Sequence, residues 1–186
     1  VLLAVQYLLT ASLMAPVVIW QVAAVKAVVG LLVVAILSLS GRQVMLSRRA
    51  AEQAPEAAPP AGRLAALRGM HLQTNLPFRS VAVLLMAVAT WYAVTAGGFA
   101  LAELPLSLNL AGYLLIALGL LSLGLTEEPM SAGIGLLMVL NGFEVLYAPI
   151  ERSLTVAALL AAVNFGVALA VSHLTLLRYT GEGPAA

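Results

Sequence analysis

Four apolar tracts, at residues 80–99, 106–125, 130–148 and 154–177, constrain this chain more than any other feature. Each is close to the ~20 residues a helix needs to cross about 30 Å of hydrocarbon. The breaks between them carry polar or helix-ending residues: Gly97-Gly98 with Glu103 and Pro105, then Glu127-Glu128-Pro129, then Pro149 with Glu151-Arg152,. A soluble domain is excluded. Of 186 residues, 62% are hydrophobic and 9% charged, against roughly 45–50% and 25% in globular proteins, and the mean hydropathy is +1.05. The expected fold class is all-α, a polytopic transmembrane helix bundle.

A further apolar tract, residues 1–39, is broken by Pro16 and Gln21 and carries Lys26. It reads as a hairpin, one helix over about 1–14 and a second from about 17 or 22 to 40, which makes six spans. The alternative is a single tilted helix with residues 1–20 partly in the interface, which makes five. The opening Val-Leu-Leu-Ala-Val has no basic n-region and no isolated small-residue cleavage signature, so no removable signal peptide is expected. Between 41 and 79 the composition changes, with Arg42, Arg48, Arg49, Arg63, Arg68 and Arg79 beside Pro55, Pro59 and Pro60. This segment is expected to hold a mobile linker. Leu64, Leu67 and Leu72 follow it at roughly helical spacing, either as a short helix on the headgroups or as a solvated loop. The expected organisation is thus an N-terminal hairpin (1–40), an Arg/Pro-rich loop (41–79), a four-span bundle (80–178) and a short tail (179–186).

Because cytoplasmic loops are enriched in Lys and Arg, the six Arg of the long loop and Arg178, against Arg152 alone on the other side, predict that the loop and both termini are cytoplasmic. The overall charge of +1 lacks the basic excess of a nucleic-acid binder. With no Cys, and with His71 and His173 far apart, disulfides, thiolate metal sites and thiol nucleophiles are excluded. Phosphate-loop, zinc-protease, serine-hydrolase and CxxC motifs are missing from the sequence. A stand-alone enzyme is not expected, nor is any catalytic residue, metal or cofactor.

Ionisable residues inside a span cost about 2.5–3.5 kcal/mol each and mark ion or proton paths by default. Two stand within apolar tracts, Lys26 and Glu144. Lys26 either snorkels to the outer interface or belongs to such a path. Glu144 either accepts a hydrogen bond from Asn141 or Tyr147 near the interface or presents a protonatable carboxyl to a partner helix. Counted from the ends of their spans, both lie at comparable depth on the outer side, which predicts a Lys26–Glu144 pair or a shared hydrated pocket. Asn141 precedes Glu144 on the same helical face, and Asn164 is placed to hydrogen-bond across helices. Ala158, Ala162, Gly166 and Ala170 form an i+4 stripe of small residues expected to pack against another helix. His173 reads as interfacial, and Glu103, Glu127, Glu128 and Glu151 as solvated turn residues.

The stretches Gly133-Ile-Gly-Leu-Leu-Met-Val-Leu-Asn-Gly-Phe-Glu-Val-Leu and Ala161-Ala-Val-Asn-Phe-Gly-Val-Ala-Leu-Ala resemble the second and third helices of small three-helix membrane subunits. These are the NuoK type of respiratory complex I, the MrpC type of cation/proton antiporters and the HyfE type of hydrogenase-linked arms. The resemblance covers the last three spans. It departs from the family where Leu137 and Leu140 replace the second-helix carboxylate and Asn164 replaces the third-helix one, leaving Glu144 for that role. What it implies is a membrane subunit of a prokaryotic multisubunit energy-converting complex in the cytoplasmic membrane. Such a subunit packs beside antiporter-like subunits and lipid and assists proton or cation translocation, with Glu144, Lys26, Asn141 and Asn164 as the candidate path. The alternatives are a structural or assembly subunit of a respiratory or photosynthetic complex, and a small independent transporter.

Overall fold

A computed structural model describes residues 2–15, 20–53, 76–126, 128–150 and 153–180. Among them are six α-helices and no strand: α1 (Leu2–Met14), α2 (Trp20–Gln53), α3 (Leu76–Thr95), α4 (Leu106–Gly124), α5 (Pro129–Tyr147) and α6 (Leu154–Thr180). Five are long and apolar enough to cross a membrane. The chain is an all-α, multi-pass membrane bundle. The exception is α1, whose 13 residues rise about 20 Å, less than the thickness of the hydrocarbon core.

At the N-terminus α1 and α2 lie side by side as an antiparallel pair, but α1 is too short to count as the sixth span of the expected transmembrane hairpin. Tyr7 lies against Gly30, and Met14 borders the same cavity as Val25. Helix α2 differs from expectation at its far end, running to Gln53 instead of stopping near Ser40. Residues 41–53 are mostly good helix formers, including three Arg, two Ala, Glu and Gln,. With Gly41 the main weak point, the helix continues out of its apolar window, Ala24–Gln43. The linker around Pro55–Pro60 and the Leu64/Leu67/Leu72 segment lie outside the described residues.

Helices α4 and α5 form the closest pair. Gly112 and Gly119 on α4 face Gly142 and Gly135 on α5, seven residues apart on each helix. A Cβ added to Gly119 would sit 2.7 Å from the Gly135 carbonyl oxygen, and one at Gly142 2.7 Å from that of Gly112. These glycines let the two backbones touch, the contact that dispersion requires where lipid offers no hydrophobic drive.

Among the described residues helix α3 leans on α4 alone, exposing Val81, Leu84, Leu85, Val88 and Tyr92. Arg79 in its first turn donates to the Leu125 carbonyl at 3.0 Å, capping the end of α4. At the other end Gly98, at φ 74°, takes the left-handed conformation that an L side chain resists, and the chain turns away from α3. Asn109, almost fully buried, then holds the turn into α4. Its side chain accepts from Leu101 N–H at 2.9 Å and donates to the carbonyls of Leu101 and Leu104 at 3.0 and 3.1 Å.

The other four helices form a square in which α1 touches α2, α2 touches α6, α6 touches α5 and α5 touches α1. Across its diagonals, α2 with α5 and α1 with α6, no backbone contact is made among the described residues. One layer of this square is apolar, built from Val33, Leu37, Leu137, Ala168 and Val171 under the Tyr7 ring.

Candidate functional site

The centre of the square, next to that apolar layer, is polar. Each helix contributes a buried side chain to one connected polar group: Tyr7 from α1, Lys26 from α2, Glu144 from α5 and Asn164 from α6. Lys26 Nζ donates to Glu144 Oε2 at 2.6 Å, a salt bridge with both side chains almost removed from solvent. The second carboxylate oxygen, Oε1, accepts from Asn164 Nδ2. Asn164 Oδ1 in turn accepts from the Tyr7 hydroxyl at 3.5 Å, a long and weak bond. The Lys26–Glu144 pair therefore spans one diagonal, the Tyr7–Asn164 pair the other, and the Asn164–Glu144 bond joins them.

Local sequence explains the convergence. A Lys side chain is long enough to cross a diagonal that no backbone contact closes. Glu144 and Asn164 need reach only along the edge between their neighbouring helices. Gly30 gives the Tyr7 ring its place, since a Cβ there would lie 2.6 Å from ring atoms. With Coulomb attraction strengthened in a low-dielectric interior and both carboxylate oxygens hydrogen-bonded, the desolvation of two charges is offset by good geometry.

The predicted pair is therefore present, and Lys26 does not snorkel: it is 7% exposed, against 8% for Glu144. The partner foreseen for Glu144 was different. Asn141, fully buried, does not bond to it but donates to Thr10 Oγ1 at 3.4 Å, its position three residues earlier lying about 60° around the helix from Glu144. Tyr147 stacks on Phe143 with ring centres 5.4 Å apart. Asn164 takes the place of both. Sequence reasoning missed Tyr7, a residue type that also fits ordinary core packing. It also missed the Ser40–Ser172 hydrogen bond, which ties α2 to α6 beyond the apolar layer.

Among the described residues the small-residue stripe packs against no other helix. Ala158, Ala162, Gly166 and Ala170 are exposed, and a Cβ at Gly166 would meet nothing within 4 Å. The buried face of α6 is the opposite one, carrying Asn164, Ala168, Val171, Ser172 and Thr175. His173 is exposed, as is Glu128, whose carboxylate accepts from Ser131 Oγ at 3.3 Å. Glu127, Glu151 and Arg152 lie outside the described residues.

Comparisons with protein-family models, with curated proteins and with solved structures return no match. The arrangement itself offers a protonatable carboxylate and an ammonium in direct contact inside a membrane bundle, held by two further polar groups. Among the described residues no group of His, Cys, Asp and Glu could hold a metal ion.

Proposed function

We propose that this chain is a membrane subunit of a multisubunit energy-converting complex, in which the Lys26–Glu144 pair assists proton or cation transfer. The observation that supports it is the pair itself, two opposite charges from non-adjacent helices meeting inside the bundle. Neutral hydrogen bonds such as Asn141–Thr10 and Ser40–Ser172 join helices of the same bundle without the roughly 2.5–3.5 kcal/mol that each charge costs inside a span, so a purely structural role gives no reason for charge at this depth. Ionisable groups inside spans are by default functional candidates. The likeness of α4–α6 to small complex I-type, antiporter-type and hydrogenase-linked subunits points the same way. On this reading the protein sits in a prokaryotic cytoplasmic membrane, beside antiporter-like subunits, with the Arg-rich 41–79 segment and the C-terminus inside.

A structural or assembly subunit without an ion path is the second reading, and the apolar layer of Val33, Leu37, Leu137, Ala168 and Val171 favours it, because it interrupts the polar groups of the square. Extraction in mild detergent, identification of the co-purifying subunits and measurement of ion transfer by the reconstituted complex separate the two. Antiporter-like partners together with lost transfer in Glu144→Gln are expected. Unchanged transfer in that variant, at normal assembly, overturns the relay role.

A further inference from the structure

A cavity of about 30 Å³ lies against the ion pair. Space of roughly 10–15 Å³ by the same measure holds one water, provided polar partners are present. They are present here. The Lys26 ammonium has three donors, of which Glu144 takes one, and the cavity is bordered by Lys26, Glu144 and Asn164.

The cavity has a direction. At its inner end stand Tyr7, Val29 and Asn164; at the other stand Met14, Ala148 and Ala157. Ala148 directly follows the last residue of α5, and Ala157 lies in the first turn of α6. From Asn164 to Ala157 is seven residues, about 10 Å along α6, so the residues that border the cavity run from the level of the pair toward the end of the bundle that carries Ala148 and Ala157. In the opposite direction the square is filled by Val33, Leu37, Leu137, Ala168 and Val171, with Val33 and Ala168 wholly buried.

We infer that this cavity is a hydrated vestibule open to one side of the membrane, through which water and water-sized cations reach the Lys26–Glu144 pair from the end of the bundle that carries Ala148 and Ala157 and not from the opposite face. This gives a side to the transfer role proposed above, and it is measured independently of that role.

The chain has no native Cys, so single cysteines report access directly. Ala161→Cys and Ala157→Cys, which add one atom in the cavity wall, are each placed in the full chain, with Ser153→Cys as the control at the start of α6 and Val171→Cys as the probe of the apolar layer. Sealed membrane vesicles of either orientation are exposed to silver ion, a water-sized cation that reacts with thiolates. Surviving thiols are then counted with a fluorescent maleimide after unfolding in detergent. Thiolate formation needs a polar surrounding, so the Ala161→Cys and Ala157→Cys thiols should be lost on the order of tenfold faster from the side on which Ser153→Cys reacts. Val171→Cys should keep its label from both sides.

Equal loss from both sides at Ala161→Cys means a through path and overturns one-sided access. Retention of label at both wall cysteines while Ser153→Cys reacts means a dry cavity and overturns the vestibule. Ion transfer plays no part in this readout. One-sided access with normal transfer in Glu144→Gln would sink the relay reading alone, and lost transfer with a dry cavity would sink the vestibule alone.

Discussion

Toward α4, α5 presents Gly135 and Gly142 and meets its neighbour backbone to backbone. Toward α1, α2 and α6 it presents Asn141 and Glu144 and is held by hydrogen bonds and a salt bridge. Both solutions answer one problem: lipid is as apolar as the helices, so burying Leu against Leu brings no hydrophobic gain and association needs close contact or polar bonds. The two seams should fail differently. A glycine seam tolerates no added atom but is indifferent to charge, whereas the polar square fails in addition when one partner of its charge pair is left alone.

The largest effect should come from the square. Lys26→Met alone leaves the Glu144 carboxylate buried without its cation and should destabilise the chain by about 3–5 kcal/mol. Combining it with Glu144→Gln should restore much of that loss. Unfolding measurements in mixed micelles over the four-variant cycle give the coupling directly, and additive effects would reject the pair as an energetic unit. Next, Gly119→Ala should cost about 1–3 kcal/mol through overpacking against the Gly135 carbonyl, with no dependence on the state of Lys26 or Glu144. A coupling between them would show that the two seams are one structure. Asn164→Leu, removing the donor to Glu144 and the acceptor of Tyr7, should cost about 1–2 kcal/mol in the same assay. Smallest of all, Gly166→Leu should change the stability of the isolated chain by less than about 0.5 kcal/mol, since none of the described residues lies over it. A loss as large as that of Gly119→Ala would place the stripe in a contact that the square does not account for.

The stripe on α6 and the glycines of α4 and α5 also show why small residues alone are an ambiguous signal. An i+4 run such as Ala158-Ala162-Gly166-Ala170 draws the eye, yet it faces outward. The seven-residue spacing of Gly112/Gly119 and Gly135/Gly142 was equally visible in the sequence and marks the seam that forms. The polar residues decide between the faces of α6, because turning Asn164, Ser172 and Thr175 outward would leave their donors and acceptors in hydrocarbon without partners, whereas Ala and Gly lose little on either face.

The sequence by itself determined the class of the protein, the positions of its spans and the two charges that had to be reconciled with lipid. Apolar tract length and the cost of burying charge are local quantities, and both can be read along one helix. Comparable depths made a Lys26–Glu144 pair one expected outcome beside a shared hydrated pocket, since unpaired opposite charges in a bundle gain by meeting, and the structure chose the pair. Only the tertiary structure decided which helices form the square, that Asn164 and not Asn141 completes the carboxylate, that Tyr7 closes the second diagonal, and that α2 continues to Gln53. Those outcomes depend on how each helix is rotated about its own axis. In a chain apolar on every side, that rotation is set by the fit of all neighbours at once and is not encoded in any single segment.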